Sequence, residues 1–287
     1  MVTEGIKDKL DFKSLGFDSS NDTFRIADFG CSVGPNTFFA VENIVKAAEH
    51  KHHAQFNNSP PLAFQVFFND VATNDINTLF KTLHSNRKYF AAGLPGTFYG
   101  RLIPKSTLHF AYSSYCLQWL SKVPKEVVDS KSPAWNKGSI QCDGLEKEVT
   151  KAYSAQFQSD MNTFLNARAQ EIVGGGLMVI IMAGLPDGIF MSQAGVGMYY
   201  ELLGSCLVDM AKLGEISEEK VDSFNLPLYY SSSTEIEEII KVNGNFSIEI
   251  MHSLSHQIWQ ASKKSILFQG AELFFRVFWK STLQVKL

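Results

Sequence analysis

Short apolar runs alternate with amphipathic segments over most of the chain. A short apolar run bounded by turn residues is typical of a buried strand, whereas apolar residues at helical spacing indicate a helix. The pattern predicts strands at 24–29, 63–68, 108–112, 177–182 and 246–251. It predicts helices at 36–50, 75–83, 115–121 and 146–173, the last of which ends at the triple glycine 174–176. This alternation predicts an α/β protein built around a layered sheet.

Residues 187–243 interrupt the alternation. They have helical periodicity but no clear strand pattern, and Ser217 and Thr234 stand where helix N-caps are expected. We therefore expect a helical cap at 187–243, inserted into an α/β core made of residues 20–186 and 244–287.

The composition limits the partners and the compartment. The chain has 287 residues, enough for one core with a smaller cap, and a net charge of −3, so we expect no nucleic-acid or membrane partner. The four cysteines form no CxxC pair, which favours a reducing compartment. The N-terminus is charged, and the longest apolar run, 177–185, is too short to span a bilayer. We expect a soluble, cytoplasmic protein.

A glycine turn at 28–36 (DFGCSVGPN) lies between the first predicted strand and the first predicted helix. Such a turn directs backbone N–H groups and the positive helix end toward a ligand. A dinucleotide site requires GxGxxG, but Ser32 occupies the middle position and the last glycine is absent. The run from Gly30 to Gly34 also matches the GxSxG nucleophile elbow, but too few residues precede it to supply the strands of an α/β-hydrolase.

An S-adenosylmethionine site is the third interpretation of the turn, and the one that the flanking acids favour. Asp28 can bind the ligand ammonium, the turn backbone can bind its carboxylate, and Asp70 after the second strand can bind the ribose hydroxyls. The two acids are further apart than the usual ~20 residues, and the His/Asn/Pro-rich loop at 51–61 accounts for the difference. Taken alone, Asp70 is equally compatible with a helix N-cap.

Six segments, in chain order, carry a resemblance to a known family. They are 27–37 (ADFGCSVGPNT), 67–80 (FFNDVATNDINTLF), 93–124 (GLPGTFYGRLIPKSTLHFAYSSYCLQWLSKVP), 135–140 (WNKGSI), 169–179 (AQEIVGGGLMV) and 220–230 (KVDSFNLPLYY). They resemble the plant family of salicylic, benzoic and jasmonic acid carboxyl methyltransferases and xanthine-alkaloid N-methyltransferases, the SABATH family. The resemblance covers about residues 20–252.

The resemblance implies a fold and a function. The fold is α/β, a Rossmann-like S-adenosylmethionine-dependent methyltransferase sheet with a helical cap. The function is methyl transfer to the carboxylate of a small plant metabolite acid by a homodimer. The alternatives are N-methylation of a xanthine-like base, and a truncated homologue that binds cofactor or dimerises without catalysis.

Residue by residue, the resemblance implies three groups of positions. Besides Asp28, the cofactor positions are Cys31, Asn36, Asp70, Val71, Thr97, Phe98 and Ser114, with Ser113 nearby. The substrate positions are Tyr115, Gln118 and Trp119. A magnesium site matches Asn136, Asp222, Phe224 and Asn225. Their oxygen donors suit a hard cation, and a hydrogen-bonded clasp between cap and core is the alternative.

Several positions depart from the family pattern. Residues 1–20 and the residues after Ser262 do not match it, so we expect a chain truncated at both ends. Val71 stands where the family usually has Leu, and Gln118 where it usually has Met or His.

Carboxylate methylation requires no proton transfer by the side chains. A carboxylate is already ionised at neutral pH and needs no general base, so we expect no catalytic acid or base. The protein must hold the carboxylate oxygen in line with the methyl group. The Trp119 N–H can bind one carboxylate oxygen, and the Phe98 and Tyr115 rings can face the adenine, the substrate or the sulfonium.

Three histidines at the end of the first predicted helix suggest a metal site. His50, His52 and His53 are flanked by lysines. We therefore expect them to form a solvated surface.

Overall fold

The computed structural model describes residues 2–18, 23–56, 60–255 and 273–281. Its helices, apart from two short 3-10 turns at Lys125–Val127 and Met191–Gln193, are α1 (Val2–Lys9), α2 (Asn36–Gln55), α3 (Ile76–Lys81), α4 (Lys147–Glu171), α5 (Gly195–Lys212), α6 (Glu218–Ser223) and α7 (Ser233–Asn243). Its strands are β1 (Thr23–Phe29), β2 (Ala63–Asp70), β3 (Phe90–Pro95), β4 (Leu108–Ser114), β5 (Ile172–Gly184), β6 (Phe246–Ser255) and β7 (Leu273–Ser281). Over these ranges, no helix is long and apolar enough to cross a membrane.

Seven strands of the described chain form one sheet in the order β3-β2-β1-β4-β5-β7-β6. The first five in this order run parallel to one another, and β7 runs antiparallel to both of its neighbours. The strand order reverses between β1 and β4, so the loops that follow the parallel strands meet at one edge. In open α/β sheets this crevice is where ligands bind. The α/β fold that the sequence pattern predicts is confirmed.

The hydrophobic pattern identified five of these strands, but neither β7 nor β3, which lies at the edge of the sheet. Its sequence, FAAGLP, is short and rich in small residues, and Phe90 is exposed. An edge strand buries little surface, so its sequence shows no run of large apolar residues.

The predicted helix at 115–121 is wrong. The chain makes a tight turn there, in which Tyr115 has a φ of 56°. Trp119 then forms an isolated bridge with Leu228. A non-glycine residue in the left-handed region cannot continue an α-helix.

The boundary between α4 and β5 also differs from the prediction. The helix ends at Glu171, before the three glycines, and 174–176 lie inside β5. A Cβ at Gly176 would lie 3.0 Å from the His109 carbonyl oxygen of β4. This glycine therefore permits close strand approach and does not stop the helix.

Two helix caps test the predicted starts of α6 and α7. Ser217 caps α6 as expected, because its side chain accepts a hydrogen bond from the Lys220 N–H. The expectation for Thr234 is wrong, since Ser232 is the N-cap of α7 and accepts from the Glu235 N–H. Thr234 lies inside the first turn.

The N-terminal segment covers one end of α2. The Phe12 N–H donates to Gln55 Oε1 at 2.8 Å, and the Phe12 ring packs edge-on against His52. His52 is therefore buried, and the expectation of a solvated histidine is wrong for it. His50 and His53 are exposed, as expected.

Two hydrophobic clusters lie on opposite faces of the sheet. One contains Phe157 and Phe164 of α4 together with Ile236 and Ile240 of α7. The other contains α1, α2 and the facing residues of β1 and β2. Because α7 packs into the same cluster as α4, one helix of the predicted cap segment contributes directly to the core; the division into core and cap remains a prediction.

The glycine turn after β1 is built on a position that only glycine fits. Gly30 has a φ of 85°, and the Gly30 and Cys31 N–H groups both donate to the Asn69 carbonyl oxygen at 2.9 Å. A Cβ at Gly30 would lie 2.6 Å from Cys116 Sγ. The turn is thus tied to β2 and packed directly against the segment after β4.

We expect the substitution Gly30→Ala to lower the free energy of unfolding by about 1–3 kcal/mol, through backbone strain and overlap with Cys116. Gly34→Ala is the matched control in the same turn, because a Cβ there meets nothing within 4 Å. The control should stay within about 0.5 kcal/mol of wild type. Urea unfolding followed by circular dichroism measures both, and equal effects of the two substitutions would contradict this account.

Candidate functional site

The candidate site lies where β1, β2 and β4 end. In the sheet register, Asp28 of β1 is paired with Phe68 of β2 and Tyr112 of β4. Asp70 ends β2 and Ser114 ends β4. Three of the residues that the sequence singles out, Asp28, Asp70 and Ser114, are therefore brought to one edge of the sheet.

Asp28 is a buried carboxyl with a hydroxyl partner. Its side chain is 2% exposed, and Thr37 Oγ1 donates to its Oδ2. Burial raises the pKa of Asp28 to about 7, the Thr37 hydrogen bond opposes this rise, and the nearby charge of Asp70 adds to it. A group that titrates near neutrality is readily ionised by an adjacent cation.

Asp70 lies over the glycine turn. Its two carboxylate oxygens accept hydrogen bonds from the Ser32 N–H at 2.7 Å and from the Val71 N–H at 2.8 Å. The N-cap of α3 is Asp75, whose side chain accepts from the Thr78 N–H. The helix-cap alternative for Asp70 is therefore wrong, and its carboxylate belongs to the site.

The remaining positions of the turn differ in exposure. Cys31 is buried, and burial raises the pKa of its thiol, so this thiol stays protonated. Asn36 is exposed at the start of α2, and Val71 is exposed beside Asp70. At the end of β4, the Ser113 hydroxyl lies 2.8 Å from Cys116 Sγ.

The loop after β3 forms another side of the candidate site. Asn69 Nδ2 donates to the carbonyl oxygens of Leu94 and Gly96, at 2.6 and 2.9 Å. Thr97 is exposed, and the buried Phe98 ring packs edge-on against Phe164 at 6.0 Å. The loop is therefore joined to β2 at one side and to α4 at the other.

A buried ion pair holds this loop against the core. Arg168 Nε donates to Glu171 Oε2 at 2.7 Å, and both side chains are fully buried. The Arg168 guanidinium also donates to the carbonyl oxygens of Phe98 and Gly100, each at 2.8 Å. Glu171 Oε1 accepts from the N–H groups of Leu102 and Ile103. Four residues of the loop, 98, 100, 102 and 103, are thereby bonded through their backbone to α4.

The predicted substrate residues occupy the turn after β4. The side chains of Tyr115 and Trp119 are 47% and 46% exposed, an unusual state for large aromatic residues. Cys116 Sγ donates to the Phe29 carbonyl oxygen at 3.1 Å, which places this turn directly against the glycine turn. Gln118 is buried, and its Nε2 donates to the Tyr115 carbonyl oxygen at 3.0 Å.

Two of the four residues matched to a magnesium site, Asn136 and Asn225, are hydrogen-bonded to each other. Asn136 Nδ2 donates to Asn225 Oδ1 at 2.7 Å, and the Tyr153 hydroxyl donates to the same oxygen at 3.2 Å. Asp222 Oδ1 accepts from the Gly138 N–H at 3.1 Å. In the ranges that the structure describes, no group of three or more His, Cys, Asp or Glu side chains could hold a metal ion. These contacts form a clasp between segment 136–141 and segment 222–225.

Phe224, the fourth of these residues, donates its backbone N–H to the Val221 carbonyl oxygen at 3.1 Å. It is the C-cap residue of α6, and its ring is exposed. The clasp residues present a single carboxylate, that of Asp222, and the Asn225 oxygen already accepts two hydrogen bonds. This donor set fits a divalent cation poorly.

Several residues of the site are not predicted by the sequence pattern. Thr37 follows Asn36 directly, and its position in the first turn of α2 was the signal that could have identified it. Asn69, Tyr99, Arg168 and Glu171 act through contacts between segments distant in sequence, and no local pattern indicates them.

Comparison with known proteins identifies the family of this chain. A family model described as S-adenosylmethionine-dependent carboxyl methyltransferase matches residues 2–283. The expectation that the two ends of the chain depart from the family is therefore wrong for residues 2–20 and for the residues from 263 to 283.

Individual relatives are methyltransferases as well. Loganic acid O-methyltransferase of Catharanthus roseus is 50% identical over 257 residues, which cover 89% of this chain and 68% of that protein. Paraxanthine methyltransferase 2 of Arabidopsis thaliana is 42% identical over 260 residues, which cover 89% of this chain and 73% of that protein.

A solved structure described as loganic acid methyltransferase with SAH superposes with a TM-score of 0.90 at 40% identity, covering all of this chain and 92% of that chain. This match confirms the Rossmann-like methyltransferase sheet. Together with the match to the family model, it establishes that the chain belongs to the S-adenosylmethionine-dependent carboxyl methyltransferase family.

Proposed function

We propose that the protein transfers a methyl group from S-adenosylmethionine to the carboxylate of a small plant metabolite acid, in the cleft between the glycine turn and the turn of Tyr115 and Trp119. The observation that carries the proposal is the meeting of two carboxylates with two exposed aromatic side chains at one sheet edge. Asp28 and Asp70 suit the cofactor, and the aromatic turn suits the acceptor.

The proposed cofactor contacts follow from the chemistry of each group. Asp28 binds the ammonium, and its pKa near neutrality supports this role because a cation would favour the ionised form. Asp70 binds the ribose hydroxyls. The remaining cofactor contacts are assigned to Cys31, Asn36, Val71, Thr97, Phe98 and Ser114.

The proposed mechanism depends on position and not on proton transfer. S-adenosylmethionine supplies an electrophilic methyl group when bound. The Trp119 indole N–H binds one carboxylate oxygen and so orients the other, while Tyr115 and the buried Gln118 shape the surrounding wall. An aromatic face near a cation contributes about 0.5–2 kcal/mol, and alignment of the reacting atoms supplies most of the remaining rate enhancement.

The relatives support two acceptor chemistries. Loganic acid O-methyltransferase supports a carboxylate, and paraxanthine methyltransferase 2 supports a ring nitrogen. The carboxylate is preferred because the matching family model is that of the carboxyl methyltransferases. A homologue that binds cofactor without catalysis is the remaining alternative.

We expect methyl transfer to at least one acid of a panel of loganate, benzoate, salicylate and jasmonate, and none to xanthine or paraxanthine. Trp119→Phe should lower kcat/KM about 10- to 100-fold through loss of a hydrogen bond to a charged group, with the Kd for S-adenosylhomocysteine unchanged. Radiolabelled methyl transfer and calorimetry measure these quantities.

The control for this substitution is Trp135→Phe, which removes an indole that packs on Lys137 and has no assigned role in the cleft. Turnover of xanthines alone would overturn the carboxylate assignment. Cofactor binding without turnover of any panel compound would favour the non-catalytic alternative.

Cofactor affinity should depend on pH through Asp28. Its carboxyl must be ionised to bind an ammonium, so the affinity for S-adenosylhomocysteine should fall about tenfold per pH unit below a pH of about 7 and level off above it. Thr37→Val removes a bond that lowers this pKa and should move the transition to higher pH. Calorimetry between about pH 5.5 and 8.5 tests this, and an unchanged profile in Asp28→Asn would show that another group is responsible.

The four residues of the magnesium hypothesis act, in our proposal, as the clasp described above. We expect neither EDTA nor added Mg²⁺ to change kcat or the melting temperature. Asn225→Leu should cost about 1–3 kcal/mol of stability, because the Asn136 amide loses its partner. A Mg²⁺-dependent rise in melting temperature that Asp222→Asn abolishes would restore the metal assignment.

We also propose a cytoplasmic homodimer without a nucleic-acid or membrane partner. Four free cysteines and the near-neutral net charge support this location and partner set. The dimer rests on the resemblance to the family.

A further inference from the structure

Tyr99 lies between two carbonyl groups that one buried side chain holds. Arg168 Nη1 binds the Phe98 carbonyl oxygen and Nη2 binds the Gly100 carbonyl oxygen, each at 2.8 Å. Glu171 neutralises the guanidinium, which also lies 4.0 Å from the centre of the Phe29 ring. The backbone on both sides of Tyr99 is therefore restrained by the core of the protein.

The Tyr99 side chain crosses from this loop to the turn after β4. Its hydroxyl donates to the Trp119 carbonyl oxygen at 2.6 Å, and its ring packs against the Phe98 ring at 4.8 Å. Burial raises the pKa of Tyr99, so the hydroxyl remains a donor at neutral pH. One side chain thus touches Phe98, which is assigned to the cofactor, and Trp119, which is assigned to the substrate.

We infer that Tyr99 is a positioning residue that couples cofactor binding to the placement of Trp119. The inference rests on the proposed function, in which Thr97 and Phe98 contact the cofactor and Trp119 binds the acceptor. A cofactor that contacts Thr97 and Phe98 restrains the loop, and Tyr99 transmits that restraint to the Trp119 backbone. Binding of the first ligand then lowers the ordering cost of binding the second.

The turn that carries Trp119 has other restraints, which define what Tyr99 adds. The Trp119 N–H donates to the Cys116 carbonyl oxygen at 3.1 Å, and the Leu120 N–H donates to the Pro227 carbonyl oxygen at 2.7 Å. These bonds do not involve the loop that carries Thr97 and Phe98. The Tyr99 hydrogen bond connects that loop with the turn, so its loss should affect communication between them more than the fold.

The substitution Tyr99→Phe removes this hydroxyl and leaves the ring. Hydrogen exchange of wild-type protein should show that S-adenosylhomocysteine slows the amides of 96–103 and also those of Trp119 and Leu120. In Tyr99→Phe, the amides of 96–103 should remain protected, whereas those of Trp119 and Leu120 should exchange at the rate seen without S-adenosylhomocysteine.

Tyr99→Phe should affect the KM for the acid more than the Kd for S-adenosylhomocysteine. For the panel acid with the highest kcat/KM, Tyr99→Phe should raise KM about 3- to 10-fold, the loss expected for one hydrogen bond. The Kd for S-adenosylhomocysteine should stay within about twofold. A structural role alone would instead lower the melting temperature and weaken both ligands together.

Tyr89→Phe is the control, because it makes the same chemical change at a buried tyrosine on the far side of β2. It should retain the ligand-induced protection of Trp119 and Leu120. Retention of that protection in Tyr99→Phe, or its absence in wild type, would overturn the inference while leaving the methyltransferase function intact. Failure of wild-type protein to bind S-adenosylhomocysteine would overturn the proposed function and this inference with it.

Discussion

The buried ion pair between Arg168 and Glu171 is the interaction on which the site most depends. Two charges removed from water are tolerated only when both are paired and their remaining hydrogen-bonding groups are satisfied. Here the remaining groups are satisfied by the backbone of residues 98–103. The energetic requirement of the ion pair is thus met by one particular conformation of a loop that would otherwise lie on the surface. That conformation sets the position of Phe98 and directs Tyr99 toward Trp119.

A second constraint is electrostatic and acts at the ends of β1 and β2. Asp28 is buried, and the charge of the partly exposed Asp70 nearby disfavours ionisation of Asp28. A ligand with a positive charge relieves this repulsion, which gives the edge a preference for a cationic cofactor. The Ser32 N–H and the Thr37 hydroxyl each bind one of these acids and hold the two carboxylates in separate positions. In the proposed function, the cleft therefore combines charge selection for the cofactor with an aromatic surface for the acceptor.

The clasp shows that residue types able to bind a metal ion can instead hold two segments of the chain together. The Asn136 amide donates to the Asn225 oxygen and to the Gln141 carbonyl oxygen, Tyr153 adds a further donor to the Asn225 oxygen, and the buried Asn225 Nδ2 has no partner among the described residues. The Asn225 amide oxygen that a metal ion would need is engaged within the protein. Sequence motifs alone do not distinguish these outcomes, because the orientation of an amide depends on which neighbours surround it.

The sequence by itself determined the alternation of strands and helices, the glycine turn, the two strand-end acids and the family. These features depend on local periodicity and on residues adjacent in the chain, and burial of short apolar runs makes them visible. It did not determine β3, because an edge strand needs little hydrophobic surface, nor the turn at Tyr115, whose left-handed backbone follows from its contacts with β5. Arg168, Glu171 and Tyr99 acquire their roles only from the tertiary structure, since their partners lie up to 70 residues away and meet them only once α4 packs on the sheet.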